Sequence, residues 1–318
     1  MSKINMNREI KNIETSLAQL MQCETPTLQQ ASEHLLSSGG KRVRPLFVIL
    51  SSYLSGQTPT DATYRVAAAL ELIHMATLVH DDVIDFSEKR RGETTIEKEW
   101  NQSTAILTGN FLLARALEHL STIENYQIHQ TLSTAIVEVC RGELFQFQDQ
   151  FRANQSITNY LRRIKRKTAL LIQLATEVGA MSANANEKTI KTMRTIGYNI
   201  GMSFQIIDDI LDFTSTEKKL GKPVGSDLRN GHMTLPTLLE MKKDPAFKQR
   251  IAQLHPEASH KAFESCVQHV RNSDSIALSK QISERYLQKA KDLLETLPDN
   301  EARALFNKLI QKLKNRKV

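Results

Sequence analysis

Val66-Ala67-Ala68-Ala69-Leu70-Glu71-Leu72-Ile73-His74-Met75-Ala76-Thr77-Leu78-Val79-His80-Asp81-Asp82-Val83-Ile84-Asp85 is the stretch on which the reading of this chain turns. Its apolar residues recur at three- and four-residue spacing, which predicts a buried helix. That helix runs straight into three aspartates. Asp81 and Asp85 are four residues apart, so they lie one turn apart on one face, with Asp82 beside them. Carboxylates that close repel, and charge beside apolar surface is costly unless a cation neutralises it. A second box, Gln205-Ile206-Ile207-Asp208-Asp209-Ile210-Leu211-Asp212, repeats the pattern. One such box alone reads more readily as a solvated helix turn. Two boxes flanked by Leu78, Val79, Val83 and Ile84 and by Ile206, Ile207, Ile210 and Leu211 do not, because a solvated acidic face would carry Lys, Glu and Gln there. The pair points to Mg²⁺, which takes one or two carboxylates plus substrate phosphates, and so to a phosphate or diphosphate ester as ligand.

The 318 residues include only 12 Gly and 8 Pro, and helical periodicity runs almost throughout. We therefore expect an all-α protein, a single large helical domain over 1–318, with no linker and no internal repeat. Helices are expected at roughly 4–22, 27–38, 42–55, 61–86, 102–122, 126–152, 157–182, 187–214, 234–243, 257–271, 274–296 and 299–315. Breakers fall at Gly39-Gly40, Gly56 to Pro59, Gly92, Gly221 to Gly231, Pro245 and Pro298. The longest irregular stretch, Thr214 to His232, follows the second box, where a long loop is usually functional or mobile. The N-terminus does not read as a signal peptide. Val66 to Val79, interrupted by Glu71 and His74, is too short to span a bilayer. Cys23, Cys140 and Cys266 show no paired spacing and read as thiols of a reducing cytosol, giving a cytoplasmic expectation.

The net charge of +7 is concentrated in four places: Lys41-Arg42-Val43-Arg44, Lys89-Arg90-Arg91, Arg162 to Lys167, and the tail from Lys312 to Lys317. No aromatic residues interleave as a nucleic-acid stripe would require, so diphosphate binding ranks above nucleic acid. Gly39-Gly40 ahead of Lys41, Arg42 and Arg44, with Pro45 suited to a first turn, reads either as a phosphate site at a helix N-terminus or as a basic loop. Arg90 and Arg91 either meet a metal-bound diphosphate or form a surface loop. Lys167 stands at the edge of the apolar run Ala169 to Leu174, as a ligand or as a snorkelling side chain. The tail fits a solvated helix end, a lid, or attraction to anionic membrane. Neither a nucleophile elbow, nor HExxH, nor a Walker P-loop is present.

Gly39-Gly40-Lys41-Arg42-Val43-Arg44-Pro45, the two boxes, Arg90-Arg91-Gly92, Lys167-Thr168 and Gly221-Lys222-Pro223 with Asp227 resemble, in the right order and over nearly the whole chain, the trans-type polyprenyl diphosphate synthases. Tyr160 to Leu170 and Asp212 to Glu217 carry a narrower likeness to the large, catalytic subunit of bacterial heptaprenyl or hexaprenyl diphosphate synthases. The resemblance implies an isoprenoid-synthase helical fold with a deep central cavity, the two boxes facing each other across it, and about three Mg²⁺ bridging them to an allylic diphosphate. It makes Asp81, Asp82, Asp85, Asp208 and Asp209 metal ligands, with Asp212 in the outer part of its box. It places isopentenyl diphosphate on Lys41, Arg44, His74 and Arg91, and the allylic diphosphate on Arg90, Lys167, Thr168, Gln205 and Lys222. Lys167 and Lys222 join the aspartates as the catalytic set. One position departs: His232 stands after Asn230-Gly231 where most of the family has Lys, leaving open whether that position carries a fixed positive charge.

The resemblance further implies a small non-catalytic partner subunit, admits a homodimer in isolation and a peripheral membrane contact for product release, and suggests a product of about C30–C35 for menaquinone side chains. Ala76 and Thr77, one turn before Asp81, are small where Phe or Tyr would floor a tunnel for the growing chain; ordinary helix packing around small residues is the alternative. Two other readings compete. A class I terpene cyclase-like lyase would lack the second diphosphate site that Gly39 to Pro45 supplies, and a non-catalytic subunit of a prenyl synthase would show degraded boxes.

Overall fold

The computed structural model describes residues 4–216 and 223–314, and they are almost wholly helical. They fall into two compact units, one gathering residues up to Ser133 with Leu174–Arg194 and Glu295–Asn307, the other Thr134–Gln173, Thr195–Leu294 and the chain from Lys308 on. The first unit contains α1 (Met6–Leu20), α2 (Pro26–Ser37), α3 (Val43–Leu54), α4 (Asp61–Ile84), a two-residue hairpin β1 (Lys89–Arg90) and β2 (Glu93–Thr94), α5 (Ile96–Glu99) and α6 (Gln102–Ser121). The chain passes between units within α7 (Tyr126–Gln148), α9 (Leu170–Ser182) and α10 (Glu187–Thr214), and again after Leu294 and after Asn307. The second unit adds α8 (Ile157–Ile164), α11 (Ser226–Arg229), α12 (Leu235–Lys243), α13 (Pro245–Ala252), α14 (His260–Arg271) and α15 (Ser275–Glu295), and α16 spans Glu301–Lys314.

The helix read first from the sequence, α4, is the axis of the first unit. A reciprocal capping box between Thr60 and Thr63 starts it. Val66 to Leu70, Leu72, Ile73, Met75, Ala76 and Val79 are all buried, so the helix is apolar nearly all round, as a central helix must be. It packs against α3 and α6. At the α6 contact Gly109 is required: a β-carbon there would lie 2.3 Å from Nε2 of His80. In the second unit Tyr160, Met202, Ile206, Phe213, Leu235, Phe247 and Val267 belong to one buried cluster.

Several boundaries differ from the sequence reading for local reasons. The helix expected over 157–182 is interrupted by a π-helical turn at Lys165–Ala169. Pro245, read as a breaker, instead opens α13: Asp244 caps it by accepting from the amides of Ala246 and Phe247, and Pro fits the first turn, where its missing N–H costs nothing. The stretch read as irregular, Thr214 to His232, contains α11, whose start at Gly225 (φ 71°) needs glycine. Phe86, Arg91 and Phe151 adopt left-handed backbone, and the helices expected to reach 86 and 152 end at Ile84 and Gln148.

Phe47 and Phe306 are fully buried with ring centroids 5.2 Å apart in the first unit. Phe47→Ala should lower unfolding stability by about 3–5 kcal/mol, measured by urea denaturation.

Candidate active site

The first acidic box occupies the last turns of α4, where the helix dipole is negative and carboxylates are disfavoured. Asp82 is buried, and the hairpin brings Arg90 onto it: Nε donates to both carboxylate oxygens at 2.8 Å, with Nη2 at 2.6 Å from Oδ1. Burial pushes the Asp82 carboxyl above its usual range against that pull. Burial also works against the Arg90 guanidinium, but its bond to Asp82 and the charges of Asp81 and Asp85 outweigh this and raise it. Asp81 and Asp85 are only half-buried.

A cationic cradle adjoins the box. Gly39 (φ 72°), Gly40 (φ 154°) and the left-handed Arg42 (φ 45°) turn the chain into the N-terminus of α3. Arg91 donates to the carbonyl of Gly39, and Gly40 makes room for it, since a β-carbon would stand 2.7 Å from Nη1. Arg42 is buried and reaches Glu71 at 3.4 Å. Nε of Arg42, Nε of Arg44 and Oε2 of the buried Glu71 have no hydrogen-bond partner. Burial lowers the Arg44 guanidinium to about 10, with Glu71 opposing and Arg91 adding to the shift. Arg91 is lowered too, by burial first. A small pocket is lined by Gly39, Arg42, Glu71, His74, Arg90 and Arg91. Such a set of guanidinium groups, Arg42 buried, Arg44 and Arg90 partly so and Arg91 at the surface, is suited to an anion with several acceptor oxygens.

In the second unit the box on α10 is built differently. Asp209 is 2% exposed and accepts from Tyr160 Oη at 2.6 Å and from Gln205 Nε2 at 2.8 Å. Thr168 donates to Gln205 Oε1 at 2.6 Å. Burial, helped by the charge of Asp227, raises Asp209 to about 8 against these donors. Asp212, also buried, accepts from Ser226 Oγ at 2.9 Å and the Asp227 amide at 3.1 Å. Asp208 is half-buried. The π turn carries Lys167 and Arg166 to α7, where they pair with Glu143 (2.8 Å) and Glu138 (2.9 Å). Gly142 permits that approach, because a β-carbon would lie 2.8 Å from Cβ of Arg166.

The sequence reading set apart only Asp212, in the outer part of its box, whereas the structure sorts the carboxylates by burial. Asp82, Asp209 and Asp212 are buried and bound by protein donors; Asp81, Asp85 and Asp208 are more accessible. Hard carboxylate oxygens at these three positions fit Mg²⁺. Among the described residues, two carboxylates and an imidazole with potential ligand atoms within 4.8 Å of one another lie elsewhere, at Glu240, Asp244 and His269. There His269 accepts from Arg250 at Nδ1 (2.8 Å) and donates at Nε2 to Glu240 (3.1 Å), and its ring stacks on Phe247, which makes a closed structural network.

A family model described as polyprenyl synthetase matches residues 25–270. The chain belongs to the polyprenyl synthetase family. It is 45% identical over 312 residues to heptaprenyl diphosphate synthase component 2 of Bacillus subtilis (98% of this chain, 89% of that one), and 46% identical to the protein of the same name from Geobacillus stearothermophilus (96% and 94%). The crystal structure of heptaprenyl diphosphate synthase from Staphylococcus aureus is similar with a TM-score of 0.97 and 60% identity, each chain covered in full. A polyprenyl synthase of Caulobacter crescentus complexed with calcium and isoprenyl diphosphate gives 0.92 at 31% identity, over 98% of this chain and 96% of that one. The all-α fold and the enzyme class, trans-polyprenyl diphosphate synthase, both expected from the motifs, are borne out.

Within this polyprenyl synthetase the structure groups Arg44, His74, Arg90 and Arg91 in the first unit, and Lys167, Thr168, Gln205, Asp208 and Asp209 in the second. Lys41 is exposed at the edge of the cradle. Lys222 lies outside the described residues, as do the last residues of the basic tail. His232 is buried, and its amide donates to the Asp227 carbonyl at 2.8 Å. Sequence reasoning counted Arg42 only among the cations after Gly39-Gly40 and gave no role to Glu71, Tyr160 or Glu143. Glu71 carried a usable signal, as a carboxylate inside an otherwise apolar run; Tyr160 and Glu143 carried none.

His74 is held well below its usual pKa, first by burial and then by Arg44, Arg91, Arg90 and Arg42, so the ring is neutral. The unfolded chain takes up a proton near pH 6.5 that the folded chain refuses, so stability falls as pH drops below that value. His74→Asn should shrink the loss of urea stability between about pH 7.5 and pH 5.5 relative to the parent protein.

Proposed function

We propose that this chain is the catalytic subunit of a Mg²⁺-dependent prenyltransferase. It adds isopentenyl diphosphate to an allylic diphosphate, farnesyl diphosphate for preference, and makes an all-trans product of about C30–C35 for menaquinone side chains in the cytoplasm. The observation that carries the reading is the cradle of Arg42, Arg44 and Arg91 with His74 beside a complete acidic box. A cyclase acting on one diphosphate has no use for a second anion site. The names of the similar proteins, heptaprenyl diphosphate synthase among them, support the product class.

When bound, Mg²⁺ neutralises the charge that the leaving diphosphate gains. Asp81, Asp85 and Asp208 would hold it, with Asp82, Asp209 and Asp212 fixing the boxes. Lys167 would leave Glu143 for the allylic diphosphate, and Arg90 would serve the same group. As the carbon–oxygen bond breaks, the allylic cation is attacked by the double bond of isopentenyl diphosphate held in the cradle, and orientation removes much of the entropic barrier. The neutral His74 would donate a hydrogen bond there. The proton released at the end passes to the departing diphosphate.

A partner subunit is supported by the words "component 2" in the relatives' names and by exposed apolar side chains. On α6 these are Ile106, Leu107 and Leu117; on α7 they are Val137, Leu144, Phe145 and Phe147. A small, non-catalytic helical chain would cover them. No helix among the described residues is long and apolar enough to cross a membrane.

Incubation with labelled isopentenyl diphosphate, farnesyl diphosphate and Mg²⁺ tests this reading. Long products should form with the partner and weakly or not at all without it, and Asp81→Ala or Asp208→Ala should cut turnover by orders of magnitude with the helical fold intact. Long-chain synthesis at full rate by the purified chain alone would refute the partner, and near-normal turnover in either variant the metal role. Ala76, buried on the roughly 36 Å α4, tests the chain-length reading. Ala76→Phe should shorten the product to about C15–C20 while preserving the first condensation, as chromatography of the dephosphorylated products would show.

A further inference from the structure

Tyr160 heads the fully buried side chains by volume, and its ring packs in the apolar cluster of the second unit. Phe would serve that packing equally well, and a buried hydroxyl is costly without a partner. Its partner is Asp209, at 2.6 Å. Arg163 holds the ring from one side, its guanidinium 5.7 Å from the centroid and itself fixed by the carbonyl of Met233 at 2.6 Å and by Gln155 at 3.0 Å.

The hydrogen bonds form one continuous chain. Gln205 turns its amide nitrogen to one oxygen of Asp209. The Gln205 carbonyl oxygen then faces Thr168, which donates. Tyr160 donates to the other carboxylate oxygen. Both oxygens of Asp209 are thus engaged inside the protein at 2% exposure. The adjoining Asp208 is the more accessible carboxylate of the pair.

We infer that Tyr160 is a positioning residue: together with Gln205 it ties Asp209 into the protein, and Asp209 in turn fixes the orientation in which Asp208 meets the metal and Thr168 and Gln205 meet the diphosphate. The inference rests on the proposed Mg²⁺–diphosphate chemistry of this box. Supporting groups of this kind typically change metal affinity by about 10- to 100-fold when removed.

The test is calorimetric titration of Mg²⁺ into the full chain with farnesyl diphosphate, without isopentenyl diphosphate, beside thermal unfolding. The parent protein is compared with Tyr160→Phe, Asp209→Asn, the double variant and Asp208→Asn. Tyr160→Phe should weaken Mg²⁺ binding by about 10- to 100-fold. The double variant should bind no more weakly than Asp209→Asn alone, because the two residues act as one unit. Asp208→Asn should be the most damaging single change. A Tyr160→Phe protein that melts earlier yet binds Mg²⁺ like the parent would reduce the residue to a structural one and overturn the inference, as would additive losses in the double variant. Should Tyr160→Phe fail to fold, the Asn variants still decide: equal losses at 208 and 209 would make Asp209 itself a ligand and end the proposal. Failure of the parent protein to bind Mg²⁺ with farnesyl diphosphate would instead overturn the proposed chemistry of the site, and the inference with it.

Discussion

Carboxylates at the C-terminal ends of long apolar helices are the constraint to which the rest of each unit responds. The carbonyl end of a helix is negative, and an acidic side chain there costs about 0.3–1 kcal/mol where a cation would gain it. The last turns of α10 carry three aspartates, and those of α4 carry two with Asp85 as the cap. A chain selected for stability alone would place Lys or Arg at those positions. The two units meet the cost by different means. In the first, a two-residue hairpin exists to carry Arg90 back onto Asp82. In the second, neutral donors do the work, with Tyr160 and Gln205 on Asp209, and Ser226 and a backbone amide on Asp212. One carboxylate of the first box and two of the second are thereby converted from liabilities into struts.

The cradle shows the same logic with the sign reversed. Arg42, Arg44, Arg90 and Arg91 crowd around His74, and the balancing carboxylates there are Glu71 and Asp82. Removing guanidinium groups from water and leaving Nε atoms unbonded is unfavourable by itself. The arrangement is kept rigid by backbone: the left-handed Arg42, the two positive-φ glycines and the Arg91–Gly39 contact. Repulsion accumulated among closely placed cations is relieved by an anion bound among them, which is the electrostatic basis of the proposed diphosphate site.

Sequence patterning made α4 and α10 legible because their apolar periodicity is long and their acidic ends violate it. Gly39 to Arg44 was legible as a turn into a helix because glycine and positive charge announce themselves locally. Glu71 was visible as an intruder in an apolar run, but its partner Arg42 lies 29 residues away and periodicity gives no pairing. Tyr160 was invisible as a functional residue, since an aromatic side chain at a helical core spacing has the same signature whether or not its hydroxyl is used. The π turn was missed for a related reason: Lys165 to Ala169 has ordinary helix formers, and only the packing against Glu138, Gly142 and Glu143 favours the wider winding.

That wider winding has an evolutionary consequence. A π turn closes its hydrogen bonds to the fifth residue instead of the fourth, so one residue more is accommodated than a regular helix would hold. Deleting one residue from the turn would restore the regular helix with Tyr160 and Gln173 still in register on either side, and the residues whose placement would change are those inside the turn, Lys167 and Thr168, which meet Glu143 and Gln205. A change of one residue in the length of α8 and α9 can therefore be absorbed at this turn, and it is felt first by the side chains that face Glu143 and Gln205.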